Sequence, residues 1–296
     1  MRYAISVQYI GKNYAGSQIQ FENGKEIDAP TVQGELEKAL RTLIRSSWCE
    51  AGVGSRERNE QGETQYDRRN DRNESEGNEA ISDCTGGKAT NNNRPIKAIF
   101  SGRTDKGVNA LGQEVHFDTD ETIVASKFLY SINEILPDDI SVTNFREVDK
   151  SFHAQKSAKR RHYRFEFINR RCKNAFDGDL LRVKYPTDEK RMQESLNYLL
   201  GEHDFSSFKS SGTLNPSTIC IIYEAKVSKV GDKVVIDIVG NRFLYNMVRT
   251  IVGTLLEIEG HNLAPEHMLD VLEAKDRRKA GMTVSPYGLT LMKVMY

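Results

Sequence analysis

Ser101-Gly102-Arg103-Thr104-Asp105-Lys106-Gly107-Val108-Asn109-Ala110 runs directly into LGQEVHFD, residues 111–118. The first part sets one carboxylate between two cations in a glycine-punctuated turn. The second places Val115 and Phe117 on one face of a strand and Glu114 and His116 on the other, the alternation of a half-buried strand. Asp105 is therefore carried on a loop that a rigid element positions. Gly102 and Gly107 let the backbone turn tightly or approach a ligand closely. In isolation a Thr-Asp-Lys-Gly turn is also what an aspartate capping backbone N–H groups looks like, so the loop alone does not make Asp105 a reacting group.

Upstream, residues 96–100 read as a short strand leading into that loop. The stretch before it, Ser46–Pro95, is rich in Arg, Asn, Glu, Gly and Ser, ends in Thr90-Asn91-Asn92-Asn93, and has neither helical nor strand periodicity. It cannot bury enough apolar area to offset its ordering entropy, and a mobile surface insertion is expected there. Earlier still, Val32, Leu36, Ala39, Leu40, Leu43 and Ile44 form a 3–4-spaced apolar stripe after Pro30-Thr31, which predicts an amphipathic helix. Downstream, the patterning predicts helices over 125–136, 188–200, 243–259 and 265–274. Strands are expected over 140–145, 158–168, 221–230, 233–240 and 289–295, with Gly231-Asp232 as a hairpin turn. Mixed strands, hairpins and helices suggest an α+β fold with helices on one side of its sheets. The division expected is an N-terminal α/β half over residues 1–150, interrupted by the insertion, and a C-terminal α/β half over 151–296.

A chain of 296 residues with 38% hydrophobic content supports a sizeable core. No segment approaches the roughly 18 apolar residues that span a bilayer, and MRYAISVQY alternates like a strand rather than a signal segment, so a cytoplasmic protein is expected. Cys49, Cys84, Cys172 and Cys220 are far apart and form no CxxC pair, which reads as free thiols. The net charge of +0 hides an asymmetry. Ser46–Pro95 carries 7 Lys and Arg against 10 Asp and Glu, leaving the remainder of the chain at +3. Lys156, Lys159, Arg160, Arg161, His162 and Arg164 crowd one segment around Tyr163 and Phe165. Such a cluster is either a solvated face or, with aromatics interleaved, a surface that neutralises phosphates and stacks bases.

Two further side chains stand out on their pattern. Phe243, Met247, Val248, Ile251, Val252 and Leu255 recur at helical spacing, with Arg249 near the edge of the stripe. There its guanidinium either snorkels to solvent or meets a partner. Tyr163 alternates with Arg161 and Phe165, the spacing of an ordinary packing residue. Nothing in the chain reads as a phosphate-cradling loop, a GxGxxG turn or a metal triad.

SGRTDKGVNALGQEVHF resembles the catalytic loop and following strand of the TruA family of tRNA pseudouridine synthases, and other segments resemble the family in its order. These are RYAISVQYIGKNYAGSQIQ, TVQGELEKAL, INEILPDDISV, FHAQKSAKRRHYRFEF, GEHDFSSFKSS, FLYNMVRTIVGTLLEIEG and YGLTLMKVMY. The resemblance implies two pseudo-symmetric halves whose antiparallel sheets join around a central RNA-binding cleft. It implies Asp105 as the catalytic carboxylate and Arg103 as the arginine that displaces the target nucleotide. It also implies Tyr163 as the tyrosine against the target base and Arg249 as the cation paired with Asp105. Cofactor-free isomerisation of uridine in tRNA is the implied activity, carried out by a homodimer, with the anticodon arm at tRNA positions 38 to 40 the favoured target. Asn109 stands where many relatives have histidine, and Ser17 where an aromatic residue is common, so the flanks that could touch RNA depart from the pattern. The alternatives are a synthase acting at other tRNA positions, a non-catalytic RNA-binding or RNA-folding protein, and a structural subunit whose insertion recruits a partner.

Overall fold

The computed structural model describes residues 1–22, 25–45, 96–210 and 217–296; the expected insertion over Ser46–Pro95, with Cys49 and Cys84, lies outside them. In chain order the elements are β1 (Arg2–Tyr9), β2 (Phe21–Glu22), β3 (Lys25–Glu26), α1 (Val32–Arg45), β4 (Ile99–Phe100), β5 (Asn109–Asp118), α2 (Ala125–Ile135) and β6 (Ile140–Val148). They continue with β7 (Arg160–Asn169), β8 (Leu181–Val183), α3 (Glu189–Asn197), β9 (Gly201–Asp204), β10 (Ile219–Val230), β11 (Lys233–Gly240), α4 (Met247–His261), α5 (His267–Ala274) and β12 (Leu289–Met295). The fold is α+β, built on one mixed sheet in the order β6-β1-β5-β12-β7-β11-β10-β9, with β4 alongside β5 and β8 alongside β7.

Period-two patterning decides which face of the sheet is covered. Tyr3, Ile5 and Val7 of β1 line up with Phe117, Val115 and Gln113 of β5, while Phe165 and Phe167 of β7 face Ile236 and Val234 of β11. The apolar members of this face share one core with Leu36 and Leu40 of α1, Phe128 and Ile132 of α2, Leu196 of α3 and Ile251 of α4. Each fully buried Phe or Leu there contributes about 1.5–3 kcal/mol. Thr31 accepts the Gly34 N–H and so caps α1. Glu37 of the same helix accepts the Ala98 N–H at 3.0 Å, and Gln33 donates to the Ala98 carbonyl. The chain therefore re-enters the sheet pinned to α1, just before the loop of interest.

Across the middle, β12 pairs antiparallel with β7 but meets β5 in parallel only at Thr290–Asn109 and Leu291–Ala110. Beyond that point β5 turns to β4 at Ile99 and Phe100. Register shifts sit on both sides of the join, between Val7 and Tyr9 on β1 and between Leu291 and Lys293 on β12. A bulge bends its strand and re-aims the neighbouring chain. At Gly112 a Cβ would lie 2.5 Å from the Met292 carbonyl oxygen, so the bulged strand approaches as closely as it does only because β5 carries no side chain there.

α4 departs from the sequence expectation, which began it at Phe243. The helix starts at Met247 because Asn246 adopts a left-handed conformation, φ 61° and ψ 8°, which an α-helix cannot continue through. A strap over residues 277–284 lies on α4. Gly281 donates to Thr254 Oγ1, Thr283 Oγ1 meets Thr250 Oγ1 at 3.2 Å, and the Arg277 guanidinium holds the carbonyls of Ala280 and Gly281. On the sheet's other face His116, 1% exposed, accepts the Ala154 N–H at Nδ1. Burial lowers its pKa to about 4, with the charges of Arg2 and His153 acting the same way and that of Asp118 opposing them.

Two predictions follow from these contacts. Alanine in an open helix gains up to about 1 kcal/mol over glycine, but a Cβ on Gly253 would fall 1.7 Å from the Met282 carbonyl oxygen. Overpacking wins, and Gly253→Ala is expected to lose about 2 kcal/mol or more in thermal or urea unfolding; unchanged stability would show the strap free to lift. His116 is neutral when folded and titrates near 6.5 when unfolded, so its contribution is complete above pH 6.5 and is lost as pH falls toward about 4. Urea melts should show a steeper loss of stability over that window in the native chain than in His116→Gln. The difference can reach about 1.4 kcal/mol per pH unit, and identical slopes would rule the assignment out.

Candidate active site

The loop over residues 101–108 leaves β4 and returns into β5, and its backbone is fixed almost entirely by contacts remote in sequence. Ser101 N–H donates to the Glu114 carbonyl. Gln113, 0% exposed, accepts from Ser101 Oγ and donates to the Gly102 carbonyl at 2.9 Å. Tyr9 Oη sits 2.8 Å from Thr104 Oγ1 and accepts from Gln113 Nε2. Burial pushes the Tyr9 phenol up to about 12, so it remains a neutral hydroxyl in this network. Ser17 closes the other side. Its hydroxyl accepts the Thr104 N–H at 2.8 Å, and its own N–H donates to the Thr104 carbonyl. The bend itself is made at Gly107, φ 82°, with Val108 N–H on the Asp105 carbonyl. A Cβ there would also lie 2.9 Å from Pro286 and 3.0 Å from the Tyr287 ring, so Gly107 is required both by conformation and by space.

All this leaves the Asp105 side chain half-buried, and among the described residues nothing donates a hydrogen bond to its carboxylate. The capping role open to a Thr-Asp-Lys-Gly turn is thus not the one it takes. Arg249, in the first turn of α4, reaches it across the structure, with Nη1 3.8 Å from Asp105 Oδ2. Two of the five Arg249 N–H donors are engaged elsewhere: Nε donates to the Val284 carbonyl at 2.8 Å and Nη1 to Asn246 Oδ1 at 2.7 Å. Burial raises the Asp105 pKa and Arg249 opposes it, with burial the larger effect; burial lowers that of Arg249.

Tyr163 lies on β7 between Ile238 of β11 and Leu291 of β12, 8% exposed, with Phe243 edge-on at 5.1 Å between ring centroids. Burial raises its pKa far above the ordinary tyrosine value, and the Asp105 charge adds to that, so it is a neutral phenol. Arg103 is exposed, its Nε on Gln18 Oε1 at 2.5 Å.

The basic cluster divides. Arg161 donates to the carbonyls of Ser101, Gln155 and Asn241, binding three segments together beside the loop. His162 and Arg164 both engage Asp237. Lys156, Lys159 and Arg160 remain exposed, with Arg160 over the Tyr223 ring at 4.3 Å. At both departures from the family pattern the side chain is bonded within the chain. Ser17 is buried, and Asn109 accepts the Gly11 N–H and donates to the Tyr287 carbonyl. Sequence reasoning missed Tyr9, Gln113 and Asn246, and it placed Asn246 inside the helix expected over 243–259.

The model of a family described as tRNA pseudouridine synthase matches residues 196–296. A protein of Exiguobacterium sp. (strain ATCC BAA-1283 / AT1b) called tRNA pseudouridine synthase A is 39% identical over 296 residues, covering 100% of this chain and 98% of its own. This chain belongs to the tRNA pseudouridine synthase family. A Thermoanaerobacter sp. (strain X514) protein of the same name is 42% identical over 206 residues, covering 68% of this chain and 83% of its own. One from Bacillus licheniformis is 34% identical over 297 residues, covering 100% and 99%. Among the described residues, the network under the loop fixes the Asp105 backbone without bonding its carboxylate. Tyr9→Phe keeps the ring but strips Thr104 Oγ1 and Gln113 Nε2 of a buried partner. The expected outcome is a loss of about 1–3 kcal/mol in stability together with slower pseudouridine formation. Full activity with lowered stability would show that the network serves the fold alone.

Proposed function

We propose that this chain converts uridine to pseudouridine in the anticodon arm of tRNA, with Asp105 as the reacting carboxylate. The observation that carries the reading is a half-buried carboxylate that receives no hydrogen bond from the described residues, held 3.8 Å from a cation. Isomerisation breaks the bond from the sugar C1′ to uracil N1 and forms one from C1′ to C5. The C5 proton is then lost and N1 gains one, so no external reagent is consumed. A carboxylate can drive this by attacking C1′ or by removing the 2′ proton, and both need free lone pairs on the carboxylate. Arg249 supports the charge as substrate excludes water. In this proposal Tyr163 is the floor under the extruded base and Arg103, exposed at the loop's edge, fills the space the base vacates. Lys156, Lys159 and Arg160 supply phosphate contacts. The homodimer and the cytoplasmic setting belong to the same proposal and rest on the family resemblance; among the described residues no helix is long and apolar enough to cross a membrane.

Asp105→Asn preserves size and removes the charge. Incubated with unmodified tRNA transcript and mapped for pseudouridine by position, it should show no product at a position the native chain modifies, while affinity for the transcript changes little. Substantial residual product would remove Asp105 from the reaction, and product outside the anticodon arm would remove the proposed target. In the same assay Tyr163→Phe should lose little and Tyr163→Leu far more; a Phe variant as inactive as Leu would transfer the role from the ring to its hydroxyl.

A further inference from the structure

Asn246 sits in the left-handed region, φ 61°, directly before α4, and its side-chain amide works in both directions. Oδ1 accepts from Arg249 Nη1 at 2.7 Å, and Nδ2 donates to Ser210 Oγ at 3.0 Å. Ser210 is itself held there by its N–H on the Tyr245 carbonyl at 3.1 Å. Asparagine meets both demands where close substitutes do not. Aspartate has no donor for Ser210 and would add a second carboxylate at Arg249. Alanine would be strained at this φ, and glycine accepts the backbone but supplies neither hydrogen bond.

The geometry of Arg249 gives the arrangement its consequence. The Nη1 that Asn246 binds is the same nitrogen that lies 3.8 Å from Asp105 Oδ2, too far for a hydrogen bond. Val284 holds Nε from the other side. We propose that Asn246 is a positioning residue that holds the Arg249 guanidinium off the Asp105 carboxylate, so that the cation supports the charge without occupying the oxygen that must react. The inference rests on the reading of Asp105 as the reacting group. A direct guanidinium–carboxylate bond would make Asp105 a weaker base and nucleophile and cover a lone pair. The other charged or titratable groups facing the pair are Tyr163 from β7 and Tyr245 just ahead of α4, with Arg103 and Lys106 flanking Asp105 on its loop.

The test is the pH dependence of kcat and KM for pseudouridine formation on a tRNA transcript by Asn246→Gly and Asn246→Asp. In the Gly variant the released Nη1 closes on Asp105. The acid limb of kcat should move to lower pH by about one unit, with kcat down on the order of 10- to 100-fold and KM within about twofold of the native value. In the Asp variant the new carboxylate competes for Arg249, and the acid limb should move to higher pH. A Gly variant with native kcat and native acid limb, or with its limb moved upward, overturns the proposal. Should the Gly variant melt below the assay temperature, the near-isosteric Asp variant decides alone, and an unmoved limb there overturns it. Residual product from Asp105→Asn defeats the underlying reading; an inactive Asp105→Asn beside an unaltered Asn246→Gly defeats only this inference.

Discussion

A carboxylate placed where water is scarce, with a cation beside it, is the constraint on which this site depends. Removing Asp105 from solvent disfavours its charged form, and Arg249 opposes that from 3.8 Å. Two unit charges about 4 Å apart attract by about 4 kcal/mol at an effective dielectric constant near 20, comparable to the several kcal/mol that desolvating an ion costs. Burial is the larger of the two effects, so the carboxylate is more basic than one in water. A direct bidentate pair would shift the balance toward the ionised form. On the proposed reading, the separation matters as much as the partner.

Holding that separation requires two distant parts of the chain to be fixed relative to each other. Asp105 is carried between β4 and β5, Arg249 at the start of α4, and the sheet joins their neighbourhoods through two parallel pairs, Thr290–Asn109 and Leu291–Ala110. Glycines with no room for a Cβ allow the approaches on both sides: Gly107 against Pro286 and Tyr287, Gly112 against Met292, and Gly253 under the strap that delivers the Val284 carbonyl to Arg249. Arg161 adds a further tie by bonding the carbonyls of Ser101 and Asn241, one on each side of the join.

Local pattern was enough for the elements whose cause is local. The stripe Val32, Leu36, Leu40 gave α1, Gly231-Asp232 gave the hairpin between β10 and β11, and alternation placed β11 and β12 at their observed bounds. It was insufficient where tertiary contacts decide. β5 begins at Asn109 because β12 pairs with it there, and α4 begins late because Asn246 turns left-handed to meet Arg249 and Ser210. The family resemblance nominated Asp105, Arg103, Tyr163 and Arg249 as candidates, but it did not disclose the network under the Asp105 loop. Tyr9 and Thr104 are 95 positions apart, and Tyr9 and Gln113 are 104 apart. The charge of Arg164 likewise looks free in sequence and is answered by Asp237, 73 positions away, which His162 also engages.

The central claim, that burial and Arg249 act in opposition on one reactive carboxylate, is tested most directly by titrating the Asp105 side-chain carboxyl by 13C NMR in the native chain and in Arg249→Met. The account predicts a midpoint above the ordinary aspartate value in the native protein and a further rise when the cation is removed. A native midpoint at or below the ordinary value, or one that Arg249→Met leaves unmoved, would contradict it.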